Sequence, residues 1–360
     1  MRLDLLRGFA VIVMVVDHFG GSSWLYLITG NNTFFTSGAE AFVLIAGMVV
    51  GMVYGASALR DGLRVAVGKA LGRAWTLYKL TVVMTIGFAV ISEILDLPWA
   101  KGYVIGNPLE FDFKVILLQQ TYYLVDIPLM YTILFAVSPI GLWLLSKHHT
   151  KLLLIGSVLV WLSFQIASAN DFIILPIVGN TTFHVAAWQL IFFGAMAVGF
   201  HREIIWNFFR RIPRWPLFLI STALFLALLH LYTTDLNTLA QMYPGVDIKA
   251  ITEQLFNKST VAPGRLIATV VVFAFAYLLL SRFWVPIQAV FGWLLSPLGQ
   301  NSLYSYTMHV VIIGGFYILL PYLPGNLTSR GLINTSLQLG VLLTLWWLIR
   351  RQFGFDVVPR

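Results

Sequence analysis

Apolar residues in this chain come in long runs, and polar residues gather in the short intervals between them. A bilayer span takes about 20 mainly apolar residues. Runs of that kind recur near residues 5–26, 37–56, 75–95, 126–145, 151–169, 184–200, 216–233, 263–282, 301–320 and 332–349. The pattern predicts an all-α, polytopic integral membrane protein with about ten transmembrane helices. A shorter apolar stretch, 283–299, carries Pro286 and Pro297 and is expected along or just inside one membrane face. No internal repeat, low-complexity tract or soluble domain interrupts the series, so residues 1–360 read as a single membrane domain.

Charge sorts the connections into two sides. Of the 23 Lys and Arg residues, only Lys101, Lys114, Lys249, Lys258, Arg265 and Arg330 fall on one side; the others lie opposite, together with both termini. The positive-inside rule makes the richer side, and both termini, cytoplasmic. The long outer connections are then 96–125, 170–183 and 234–262, carrying Asp96, Glu110, Asp112, Asp171, Asp235, Asp247 and Glu253. Their segments "LPWAKGYVIGNPLEFDF" and "TTDLNTLAQMYPGVD" mix aromatics, amides and carboxylates, the side chains that bind sugars.

Composition narrows the chemistry. With 59% hydrophobic and 11% charged residues, the chain carries more apolar surface than one soluble core can hide. The absence of cysteine excludes disulfides, thiolate catalysis and Cys-based metal sites. The formal charge of +8 belongs to the topology signal and implies no nucleic-acid partner. No His/Asp/Glu group has metal-ligand spacing, and no glycine-rich phosphate loop is present.

The first run, "RLDLLRGFAVIVMVVDHFGG", places ionisable groups where a transmembrane helix tolerates few. Asp4 and Arg7 precede the apolar core, and Asp17 and His18 close it. In a helix, Arg7 and His18 are three turns apart on one face, separated by about 16 Å. Polar groups at such depth usually face a bundle interior or an aqueous cavity. Glu40, on the second run, is expected at the depth of His18, where it would fix the imidazole's tautomer and raise its basicity. Asp17 points about 100° away from His18 and is expected to make a different contact. Gly47, Gly51 and Gly55 recur every four residues and predict a flat helix-packing face. Further candidates are His309 with Tyr306, then His184, Trp188 and Gln189, and Asp126 with Tyr131.

The spacing of Arg7 and His18 resembles the R-x10-H signature of membrane acyltransferase family 3. The stretches "SGAEAFVLIAG", "DIPLMYTILFAVSP", "FHVAAWQLIFFGA" and "LGQNSLYSYTMHVVII", in that order, resemble its OpgC branch more narrowly and span nearly the whole chain. That resemblance implies a bacterial inner-membrane O-acyltransferase. Such an enzyme carries an acyl group, such as succinyl or acetyl, from cytoplasmic acyl-CoA to a hydroxyl of a periplasmic glycan. It implies no permanently bound cofactor, with acyl-CoA as co-substrate and the glycan and the lipid bilayer as partners. On this reading His18, Glu40 and His309 are catalytic, and Arg7 and Asp4 meet the donor. Asp17, Asp126, Tyr131, His184, Trp188, Gln189 and Tyr306 are then candidates for binding substrate. The rival reading is a proton-coupled transporter or exporter that uses the same buried groups as a relay. Neither matched broken helices nor an inverted repeat supports that rival.

Overall fold

The computed structural model describes residues 1–97, 105–234, 245–322 and 327–359. The first nine helices are α1 (Arg2–Phe19), α2 (Tyr26–Thr29), α3 (Gly38–Val49), α4 (Gly55–Arg60), α5 (Leu63–Leu95), α6 (Pro108–Ile116), α7 (Asp126–Ser146), α8 (Thr150–Ser168) and α9 (Val185–Phe200). The chain continues through α10 (Arg202–Phe209), α11 (Arg214–Thr233), α12 (Ile248–Leu255), α13 (Pro263–Arg282), α14 (Trp284–Gln300), α15 (Ser302–Leu319) and α16 (Gly331–Arg350). The one strand-like pairing among the described residues is a bridge between Gln120 and Val178.

Eight helices among the described residues are long and apolar enough to cross a membrane. They are Gly38–Arg60, Leu63–Leu95, Tyr123–Ser146, Thr150–Ser168, Arg214–Thr233, Pro263–Arg282, Ser302–Leu319 and Gly331–Arg350. Each coincides with one of the apolar runs. The two remaining runs also form helices: α1, diluted by Arg2, Asp4, Arg7 and Asp17, and α9, with 16 residues. The protein is therefore an all-α, multi-pass membrane protein.

Boundaries depart from the runs at two places. The first run was expected to reach residue 26, but α1 stops at Phe19, because Gly20 and Gly21 adopt φ of 69° and 75°. That left-handed region suits glycine and ends a helix. The third run was expected to begin at residue 75, but α5 starts at Leu63 and holds 33 residues, about 50 Å of helix. Its extra turns carry Arg64, Lys69 and Arg73, which lower local hydropathy without breaking the helix. Of the outer-connection charges, Lys101 and Asp235 lie outside the described residues.

The chain divides into two compact units, residues 43–206 and residues 1–42 with 207–360. In the first, the expected glycine face packs on α9. A Cβ built on Gly47 would lie 2.2 Å from the Phe192 carbonyl oxygen, and one on Gly51 2.0 Å from that of Met196. Reciprocally, a Cβ on Gly199 would meet the Met48 carbonyl at 2.1 Å. Only small residues allow this backbone-to-backbone contact. At the same place the helix widens into a π turn over Val50–Tyr54, which joins α3 to α4.

In the second unit, α1 packs on α14 with equal intimacy. A Cβ on Gly8 would strike the Leu295 carbonyl at 2.0 Å, and one on Gly299 the Asp4 carbonyl at 1.8 Å. The proline-bearing stretch is thus a helix seated on the first half of α1, and Asn301 alone separates it from α15. Aromatic pairs tie α11 to α13, with Phe225 and Phe275 stacked at 4.3 Å.

Candidate functional site

The unbroken helix from Arg2 to Phe19 preserves the three-turn relation between Arg7 and His18. Arg7 is half-buried, and its Nη1 donates to the Gly299 carbonyl of α14 at 3.4 Å. Asp4 Oδ2 lies 2.8 Å from the Met1 nitrogen.

At the other end of α1, His18 meets a second imidazole. His18 Nδ1 and His309 Nε2 are 2.9 Å apart, and the two rings are nearly parallel, 24° between planes. His309, on α15, is fully buried, and His18 is half-buried. His309 Nδ1 lies 3.2 Å from the Ser305 carbonyl one turn earlier. A carbonyl only accepts, so His309 Nδ1 carries the hydrogen, and in the neutral ring Nε2 is then the acceptor. His18 Nδ1 therefore donates to it, which leaves the lone pair of the neutral His18 ring on Nε2. Tyr306 packs edge-on against both rings, at 4.9 Å from His309 and 6.4 Å from His18.

The expected contact between His18 and Glu40 is not formed. Arg265 Nε on α13 donates to Glu40 Oε1 at 2.5 Å, while Ser37 N–H and Ser37 Oγ donate to Oε2 at 2.8 and 2.6 Å. Both members of the ion pair are buried, Glu40 at 0% and Arg265 at 4% exposure. The reason is the helix start. A match in depth with His18 needs helix well before residue 38, but α3 begins at Gly38. Glu40 accordingly sits in the first turn and reaches back to Ser37, the reciprocal half of a Ser-x-x-Glu capping box. The early end of α1 at Phe19 removes the other half of the depth match.

Asp17 makes a contact of its own, as its angle on the helix predicts: Thr29 Oγ1 donates to Asp17 Oδ1 at 3.0 Å. Lys258 donates to Asn32 Oδ1 at 2.7 Å. The structure thus brings His18, His309 and Tyr306 together, and places Asp17 beside them in the chain.

The other candidates belong to the unit of residues 43–206. Asp126 Oδ1 accepts from the Ile127 N–H at 3.0 Å, and Tyr131 stacks on Phe135 at 6.3 Å. His184, the N-cap residue of α9, is buried against the ring of Phe164. Trp188 is fully buried and donates through Nε1 to the Thr182 carbonyl at 3.0 Å. Gln189 accepts from Ser157 Oγ at 2.6 Å and donates to the Ser157 carbonyl at 2.8 Å, joining α8 to α9. Trp188 and Gln189 therefore direct these polar atoms at protein partners.

In the charge pattern of the sequence, Arg265 and Lys258 stand out only as two of the six outer basic residues. An arginine inside a predicted span, 263–282, on the side with few basic residues, is the signal that singles Arg265 out. The Ser37-Gly-Ala-Glu40 spacing is the signal that assigns Glu40 to a helix start.

The family model described as OpgC protein matches residues 1–352 of this chain. No curated protein and no solved structure matches it.

Proposed function

Because the chain belongs to the OpgC family, we propose that it is an integral membrane O-acyltransferase. It moves an acyl group from cytoplasmic acyl-CoA to a hydroxyl of an extracytoplasmic glycan, in a bacterial inner membrane with both termini cytoplasmic. The observation that carries this reading is the imidazole chain from the Ser305 carbonyl through His309 to His18. With Nδ1 engaged by His309, the lone pair of the neutral His18 ring is on Nε2.

In the proposed step the acceptor oxygen attacks the thioester carbonyl carbon while its proton passes to His18 Nε2. A C–O bond forms, and the tetrahedral intermediate then collapses with loss of the C–S bond. The departing CoA thiolate takes the proton from the imidazolium. His309 holds the other end of the ring, so His18 neither turns nor changes tautomer between the two proton transfers. Arg7 supplies a planar, permanently charged donor set for a phosphate of the donor. The roughly 16 Å between Arg7 and His18 is the interval the pantetheine arm would bridge. Asp17, bonded to Thr29, and Lys258, bonded to Asn32, offer donors and acceptors suited to sugar hydroxyls.

Calorimetric titration of the purified protein with CoA tests the donor assignment. Wild type is expected to bind CoA, Arg7→Ala to bind it more weakly, and His18→Ala to bind it normally while losing transfer. Arg7→Lys is expected to recover part of the affinity, since an ammonium lacks the forked contact. Absence of CoA binding by folded wild type would refute the acyltransferase reading and favour a proton-coupled transporter.

A further inference from the structure

The last four carbonyls of a helix have no partner within it. At and just beyond the end of α1, four carbonyls are taken by side chains of later helices. Gln338 Nε2 on α16 donates to the Val16 carbonyl at 3.2 Å and to the Gly20 carbonyl at 3.3 Å. Asn334 Nδ2, one turn earlier on α16, donates to the Gly20 carbonyl at 2.8 Å and to the Ser22 carbonyl at 2.9 Å. Tyr317 Oη on α15 donates to the Phe19 carbonyl at 3.3 Å.

Asn334 and Gln338 are both fully buried, at 0% exposure. The Gln338 amide is held in one sense, because Ser23 Oγ donates to its Oε1 at 2.5 Å, which turns the N–H pair toward α1. Thr335, on the same face of α16, accepts from the Trp24 N–H at 3.0 Å and lies 3.3 Å from Ser23 Oγ. The bonds bracket His18 in the chain: Val16 precedes it and Phe19 and Gly20 follow. Beyond Phe19 there is no helix to hold this turn, since Gly20 and Gly21 break it.

We infer that Gln338 and Asn334 are positioning residues, which fix the height and rotation of the last turn of α1 so that His18 Nδ1 stays on His309 Nε2. The inference rests on the assignment of His18 as the base. The 2.9 Å bond to a fully buried partner leaves little latitude, and a shift of about 1 Å at a reacting group can cost on the order of 100-fold in rate. An apolar helix crossing a bilayer has no need of buried amides for solubility, and two of them converge on one carbonyl, that of Gly20.

The test is a double-substitution cycle in the full-length protein, with acetyl-CoA and succinyl-CoA as donors and envelope oligosaccharide as acceptor. Gln338→Met keeps length and apolar volume and lacks the N–H. In the wild-type background it is expected to lower turnover about 10- to 100-fold, with KM for the donor within about twofold. In a His309→Ala background, where no imidazole contact remains to be kept, the same substitution is expected to cost almost nothing further. A role in folding alone would give equal losses in both backgrounds, and that result overturns the inference. So does normal turnover by Gln338→Met alongside a dead His18→Ala, whereas an active His18→Ala refutes the base assignment itself. Ser23→Ala provides a variant that leaves the amide donors in place and frees their orientation, and it is expected to show a smaller loss in the same cycle. If Gln338→Met fails to insert, equal losses by Ser23→Ala in both backgrounds overturn the proposal in its place.

Discussion

Removing the charge of Glu40 separates structure from chemistry at this site. The carboxylate is fully buried and bonded to Arg265 Nε, and Arg265 is itself 4% exposed. The guanidinium reaches further only to the Phe256 carbonyl, at 3.2 Å through Nη1, while its Nη2 has no hydrogen-bond partner among the described residues. Glu40→Gln therefore leaves a buried cation with one donor already unmet and turns an amide N–H pair toward the Ser37 N–H. Breaking a buried pair by removing one partner costs about 3–5 kcal/mol, two to four orders of magnitude in the folding equilibrium. Replacing both partners by apolar groups is often neutral, so Glu40→Gln with Arg265→Met is expected to recover much of the loss. SDS titration of the protein in mixed micelles, followed by the fluorescence of its 12 Trp residues, reads these differences. The reasoning fails if Glu40→Gln unfolds at the wild-type SDS fraction yet transfers acyl groups a hundredfold more slowly. That outcome would return the carboxylate to the chemistry.

Three further expectations use other parts of the molecule. His18→Ala is expected to lose about 10²–10⁴-fold in transfer with the fold intact, and His309→Gln, whose amide oxygen still accepts, to lose less; near-normal turnover by His18→Ala in a single-turnover assay would falsify the base assignment. Gly51→Ala sets a methyl 2.0 Å from the Met196 carbonyl and 2.7 Å from the Phe200 nitrogen, atoms of backbone that do not yield, so it is expected to destabilise by about 1–3 kcal/mol in the same SDS titration. Gly72→Ala, with open space around its Cβ position, is expected to do no harm. The chain has no native cysteine, so an impermeant maleimide applied to intact cells is expected to label Glu253→Cys and spare Arg64→Cys; the reverse pattern would invert the proposed orientation.

What the sequence made legible follows from which forces act locally. A bilayer demands a run of fixed length, so all ten runs reappear as helices, and glycines every four residues reappear as a packing face on α9. The helix ends were less legible where polarity and helix breaking diverge. Arg64, Lys69 and Arg73 lower hydropathy inside α5 without ending it, while Gly20 and Gly21 end α1 in the midst of an otherwise continuous pattern. At the site, the Arg7 to His18 spacing needed only one helix to be true. The identity of the partner of His18 depended on which helix lies beside α1 and how it is turned, and this is a contact across 291 residues of chain. Glu40 was the nearer choice in sequence, and the Ser37 capping geometry, a local signal, draws it to its own helix start and to Arg265 instead. The amides of α16 repeat the lesson from the other side. Asn334 and Gln338 are one turn apart in an apolar span, a pattern that marks a buried polar face, but only the folded chain shows that the face closes on the turn that carries His18.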